Sequence, residues 1–180
     1  MRPTEFGMVH GRFQPFHNEH LDYVLKGLAR SMTLVVGVTN PDPSERIPES
    51  TSAHRHLAES NPFTFFQRTE MIIQSLIDCG INLSKISIVP FHLSRPDLWP
   101  YYLPKPERTT QYVRIFSDWE EKKIALFESC GFRVKVLDRN PPKNIEATQV
   151  RKLLNEEADW RSLVPSGTAR VIQLIKEGRL

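Results

Sequence analysis

Short apolar runs alternate with helical patterns along the whole chain. Glu5 to His10 (EFGMVH) reads as a strand, and Leu21 to Ala29 as the helix that follows it. Thr33 to Val38 (TLVVGV) is a continuous apolar run of the kind shown by a strand buried on both faces. Thr64 to Cys79 has helical spacing through Phe65, Met71, Ile72, Leu76 and Ile77, and Gly80 closes it. Ile86 to Pro90, Gln111 to Phe116 and Arg133 to Leu137 supply three more strands, with a helix over Glu120 to Cys130 ending at Gly131. Thr148 to Asn155 and Ser166 to Lys176 finish the chain as helices, the first with Thr148 as its N-cap and the second preceded by Pro165. Strands that alternate with helices in this way predict an α/β fold: a doubly wound parallel sheet of about five strands, helices on both faces, and a C-terminal helical segment.

Two stretches interrupt the alternation. Asn40 to Pro62 is polar and contains prolines, and Pro90 to Pro106 carries five of them. Loops of that length in a compact domain are read as active-site covers or as disordered segments. No Pro/Gly/Ser-rich linker divides the 180 residues, so one domain over 1–180 is expected. A chain of this size buries about 70% of its unfolded surface, enough for a sizeable core. The excess of 24 Lys+Arg over 21 Asp+Glu is too small to argue for a nucleic-acid partner. There is no apolar leader and no membrane-length apolar run, which reads as a cytoplasmic protein without a membrane partner. Cys79 and Cys130 each precede a helix-ending glycine, outside any metal or redox spacing, and are expected as buried free thiols.

The turn after the first strand, GRFQPFHNEH (Gly11 to His20), is where chemistry is expected. Ligands of parallel sheets sit beyond the carboxyl ends of the strands. A helix beginning near Asn18 aims its free N–H groups and positive dipole end at that place, which makes an anion site before any side chain is counted. Arg12 adds a fixed charge, Gly11 allows close backbone approach, and Pro15 stiffens the turn. His17 and His20, at i and i+3, address the same region. As metal ligands the two histidines lack an HExxH, a CxxC or a carboxylate cluster, so no protein-held metal is expected. The turn suits a polyphosphate.

GRFQPFHNEH resembles the GRFQPFHxGH segment of archaeal-type nicotinamide mononucleotide (NMN) adenylyltransferases, members of the HxGH nucleotidyltransferase superfamily. NPFTFFQR (Asn61 to Arg68) is similar to their NPFTxxER stretch, IEATQVR (Ile145 to Arg151) to their ISxTxxR motif, and DWRSLVP (Asp159 to Pro165) to a W-x-x-L-V-P segment. The matches are collinear and span most of the chain. The resemblance implies a Rossmann-like nucleotidyltransferase that moves a nucleoside monophosphate onto a small phosphorylated acceptor and releases pyrophosphate, with ATP and NMN giving NAD as the leading pair.

By the same resemblance, His17, His20, Arg12 and Arg151 are the catalytic groups. Gly11, Phe13, Gln14, Phe16, Glu19, Ile145 and Thr148 would hold the nucleotide. Trp99, in the loop DLWPYY, would stack on the acceptor or else anchor its own loop. Arg68 is expected in a structural ion pair at a helix start, with a phosphate contact second. Mg²⁺ is expected as a cofactor carried mainly by the phosphates, and relatives of this kind commonly form homo-oligomers.

The chain departs from the pattern at four places. Glu19 replaces the glycine of HxGH, Ile145-Glu146 replaces isoleucine–serine, and Ser117-Asp118-Trp119 stands where serine–glycine–asparagine is usual. Ser60 replaces an arginine, with Arg55 the nearest substitute. Three of the four lie where nucleotide or acceptor binds, so the resemblance speaks more for nucleotidyl transfer than for NMN. A cytidylyl or other nucleotidyl transfer to a different phosphate or phosphonate is the alternative, and a non-catalytic nucleotide-binding regulator is the alternative of another class. A carboxylate at Glu19 is expected to read an exocyclic amino group, favouring ATP or CTP over UTP, or else to complement the helix dipole or pair with a Lys or Arg.

Overall fold

The structure, a computed structural model, describes residues 3–45 and 57–180. Five parallel strands, β1 (Thr4–Gly11), β2 (Ser31–Thr39), β3 (Ile86–Phe91), β4 (Thr109–Ile115) and β5 (Arg133–Arg139), form one sheet in the order β3-β2-β1-β4-β5. The order reverses at β1, so the carboxyl ends of β1 and β4 flank the crevice where such sheets take ligands. This is the Rossmann-like fold expected from the alternation.

Period-two patterning divides the strands between two cores. Val9 of β1 and Leu34, Val36 and Val38 of β2 face one of them. On that side pack Tyr23 and Val24 of α1 (Asn18–Leu28), Met71, Ile72 and Leu76 of α2 (Phe65–Asp78), Val150 of α4 (Ala147–Asn155), and Val171 and Ile172 of α5 (Ser166–Lys176). Met8 and Val35 face the opposite core with Val113 of β4, Phe91, Trp99, Phe132, and Phe127 of α3 (Asp118–Ser129).

Local chemistry explains the helix ends. Thr64 caps α2 by accepting from the Gln67 N–H at 3.2 Å, and Gln67 accepts from the Thr64 N–H at 3.1 Å, a reciprocal box. Helices α2 and α5 pack so closely that a Cβ on Gly167 would lie 2.3 Å from the backbone of Gln74 and Ser75. Arg170 and Ser166 fasten the same contact by both donating to Asp78, each at 2.6 Å. Trp160 is buried against this core, and the Ser162 carbonyl beside it accepts from Asn18 at the start of α1.

Four expectations need correction. Helix α4 spans Ala147–Asn155 with the extended Glu146, not Thr148, at its N-cap position, and the Thr148 hydroxyl instead accepts from Arg151 within the helix. Cys79 is exposed and Cys130 half-buried: both sit at helix C-termini, where the chain turns back into solvent. Pro90 to Pro106 is not an open loop, since Pro96–Tyr101 and Pro106–Arg108 form 3₁₀ helices. Of Asn40 to Pro62, the described ends carry short 3₁₀ turns at Pro43–Glu45 and Ala58–Ser60, while Arg55 lies outside the described residues. Among the described residues, no helix is long and apolar enough to cross a membrane.

Candidate active site

The Gly11–His20 turn is built partly from residues that see no ligand. Phe13, in the left-handed region at φ 54°, and Phe16 are buried in the core. Gln14, 2% exposed, pairs its amide with the backbone of Phe63: Nε2 donates to the carbonyl at 2.9 Å and Oε1 accepts from the N–H at 3.0 Å. None of the three lines the cavity described below, so their expected place against the nucleotide is corrected to that of the turn's foundations. Arg68 is structural too, through hydrogen bonds to backbone. Its buried guanidinium donates to the carbonyls of Arg12, Thr39 and Asn40, all at 2.8 Å, and ties the turn to the end of β2.

On this base stand the two histidines. His17 is the N-cap of α1, and its N–H donates to Nδ1 of His20 at 3.3 Å. The rings stack at 3.5 Å with 23° between planes, and Phe13 meets His20 edge-on. Burial, with the nearby Arg114, lowers the His17 pKa to about 4. Burial, His17 and Arg114 hold that of His20 well below the usual range, against a small opposing effect from the Pro15 backbone. A neutral imidazole that accepts at Nδ1 carries its proton on Nε2, so His20 is a fixed N–H donor at neutral pH. His10, at the end of β1, is lowered to about 3 by burial and then by Lys123.

These three imidazoles set a pH dependence. Each binds fewer protons in the folded chain than at its ordinary value of 6.5 in the unfolded one. Below about pH 6.5 the unfolded state therefore holds more protons, and stability falls with pH by up to ~1.4 kcal/mol per unit per histidine. The fall runs from about 6.5 down to about 4 for His17 and about 3 for His10. Thermal melts between pH 7.5 and 5 should show Tm dropping on the acid side; a flat profile would contradict the burial of these rings.

The C-terminal motif meets the turn. Arg151 donates to the Gln14 carbonyl at 2.7 Å and to the Thr148 hydroxyl at 3.1 Å, and its partial burial lowers its pKa. Glu19 accepts at Oε1 from the N–H groups of Asn144 and Ile145, at 2.8 and 3.2 Å. Its partners there are backbone amides rather than a Lys or Arg side chain, one of the alternatives open for it, and they fix the approach to α4 against the first turn of α1.

Arg114 was not singled out in the sequence. It donates to Asp138 at 2.8 Å, to the Glu19 carbonyl at 2.9 Å and to Asp22, and Lys26 joins both aspartates. The available signal was a single cation inside the apolar run QYVRIF. His10, Glu120 and Lys123 were missed as well; their place on the cavity follows from topology.

One cavity, of about 950 Å³, gathers Gly11, Arg12, His17, Glu19, His20, Ile145, Thr148 and Arg151 with Arg114, His10, Glu120 and Lys123. Its volume is near the top of the usual 300–1,000 Å³ range, room for a nucleotide and a second small molecule. Trp99 does not line it. The indole packs on Phe91, Phe127 and Phe132 and donates to the His92 carbonyl at 2.8 Å. The acceptor-stacking expectation is thereby corrected to the loop anchor. Neutral imidazole donors, three guanidinium groups and two helix N-termini converge on this space, an arrangement that complements phosphates.

A family profile described as cytidylyltransferase-like matches residues 8–153. The chain belongs to the cytidylyltransferase-like family. Phosphonoformate cytidylyltransferase of Streptomyces viridochromogenes is 40% identical over 167 residues, covering 93% of this chain and 90% of that protein. Nicotinamide-nucleotide adenylyltransferase of Saccharolobus solfataricus is 29% identical over 171 residues, covering 94% and 91%. The crystal structure of a bifunctional NMN adenylyltransferase/ADP ribose pyrophosphatase from Francisella tularensis shares the fold with a TM-score of 0.70 at 20% identity. That similarity covers 96% of this chain and 50% of the other, so this chain spans half the bifunctional protein's length. A second structure of that protein, complexed with AMP and a manganese ion, gives 0.63 at 17%. This member of the cytidylyltransferase-like family is a nucleotidyltransferase enzyme. The expected kinship with NMN adenylyltransferases holds at the level of the superfamily, and a cytidylyltransferase stands at higher identity.

Proposed function

We propose that the enzyme transfers a cytidylyl group from CTP to a small phosphonate; its 40%-identical relative is named a phosphonoformate cytidylyltransferase. The observation that carries the choice of acceptor is Trp99. Its ring is closed into the core, so it offers no aromatic shelf for a nicotinamide, and the cavity is lined by many charged groups instead.

In the proposed reaction a phosphonate oxygen attacks the α-phosphorus in line. The new P–O bond forms as the bond to the β-phosphate breaks, and pyrophosphate leaves with the electron pair. No protein nucleophile is needed, so positioning and charge neutralisation do the catalysis. His20, through Nε2–H, and His17 stand at the start of α1 for the triphosphate, with Arg12 and Arg151 beside it. Arg114, engaged by Asp22, Asp138 and the Glu19 carbonyl, positions α1 and disfavours protonation of the histidines.

Among the described residues no group of three or more His, Cys, Asp or Glu side chains converges as a metal cluster. This donor set fits Mg²⁺ arriving on the triphosphate, where the ion would neutralise charge on the phosphates.

Pyrophosphate release should be measured with CTP, ATP and UTP against phosphonoformate, methylphosphonate and NMN, with Mg²⁺. Turnover with CTP and a phosphonate is expected. Turnover confined to ATP and NMN would replace this reading with the adenylyltransferase.

A further inference from the structure

The cavity has a second end that the triphosphate groups leave unused. It lies between the close of β1, the close of β4 and the first turns of α3, and His10, Val113, Phe116, Glu120 and Lys123 line it. The aliphatic and aromatic members limit it to a compact ligand. Behind His10 stand Phe91 and Phe127, edge-on to its ring at 5.5 and 5.2 Å, so the imidazole is fixed in place. Among the described residues its Nδ1 is buried without a hydrogen-bond partner, which is costly to leave unmet.

The charges at this end are arranged rather than scattered. Ser117 donates to Glu120 at 2.8 Å, and Lys123 pairs with the other Glu120 oxygen at 3.4 Å. Both side chains of the pair are less than a fifth exposed, at 17% and 16%. An ammonium carries three N–H donors, so Lys123 can hold Glu120 and an anion together. Lys143, 4.7 Å over the Phe116 ring, adds a second cation and offsets the Glu120 carboxylate for an incoming anion.

We propose that this end is the acceptor subsite and that it takes a phosphonate bearing a carboxylate, with Lys123 binding the carboxylate and His10 hydrogen-bonding the same molecule. The inference rests on the phosphonate reading above and adds to it the recognition of a second anionic group. With the acceptor held there, its phosphonate lies between the subsite and the histidines of α1, on the path to the α-phosphorus. Lys123 and His10 are in this account binding residues that set specificity.

The test compares wild type with Lys123→Met and Lys123→Arg, using pyrophosphate release at saturating CTP with phosphonoformate and with methylphosphonate, which lacks the carboxylate. Losing a charge-assisted contact should lower kcat/KM for phosphonoformate roughly 10–100-fold in Lys123→Met. The KM for CTP should stay within about twofold, which also certifies a folded variant, and the preference for phosphonoformate over methylphosphonate should collapse. Lys123→Arg should recover much of that preference. An unchanged preference in Lys123→Met, or an equal loss with both acceptors, overturns the assignment. A wild type that uses neither phosphonate looks different: it removes the phosphonate reading itself, and the carboxylate subsite falls with it.

Discussion

Replacing His20 with alanine is expected to lower kcat by roughly 10²–10³-fold, the usual effect of deleting a preorganised donor to developing charge. His20 is fixed from three directions: it stacks on His17, meets Phe13 edge-on, and receives the His17 N–H at Nδ1. Its remaining N–H is therefore oriented before any ligand arrives, on the side where the Pro15 backbone carbonyl lies. The KM for the nucleotide should change much less, because the arginines and both helix N-termini remain. The readout is a pair of constants, kcat and nucleotide KM, on protein whose melting curve is intact. Near-normal turnover in such protein would remove His20 from the mechanism.

Arg68→Met is expected to be the most damaging substitution for stability, at about 3–5 kcal/mol, since it deletes a buried charge and orphans the carbonyls around it. The guanidinium of Arg68, a residue 1% exposed, spans the carbonyls of Arg12 in the turn after β1 and of Thr39 and Asn40 at the end of β2. A lysine cannot span them, because a point charge lacks the planar fork. Arg68→Lys should therefore recover little. Urea unfolding of both variants measures this; a loss under about 1 kcal/mol for methionine would mean that water replaces the clamp freely.

The architecture was legible because it rests on local pattern. The run TLVVGV, the spacing of Met71, Ile72 and Leu76, and the glycines after α2 and α3 each report a structure in their own vicinity. The location of the site was legible for a related reason: a strand-to-helix turn puts Gly11 to His20 at a strand's carboxyl end whatever the rest of the chain does.

What escaped was the direction in which side chains face. Phe13, Gln14 and Phe16 sit inside the motif, yet they point into the core or toward Phe63. Trp99 had two readings, and only the arrival of Phe91, Phe127 and Phe132 around it decides between them. Arg114 and Glu19 act across 95 and 125 residues of sequence, distances at which no local pattern carries a signal.

The Glu19 tether has a mechanical side. With Arg151 reaching back to the Gln14 carbonyl, it makes two crossings between the start of α1 and the start of α4. Both run between groups already engaged elsewhere in the fold, so neither helix tip is free to drift from the other. In the proposed reaction a phosphate that pulled on one tip would load the other, and the pair would meet it as a single jaw whose spacing was set when the chain folded.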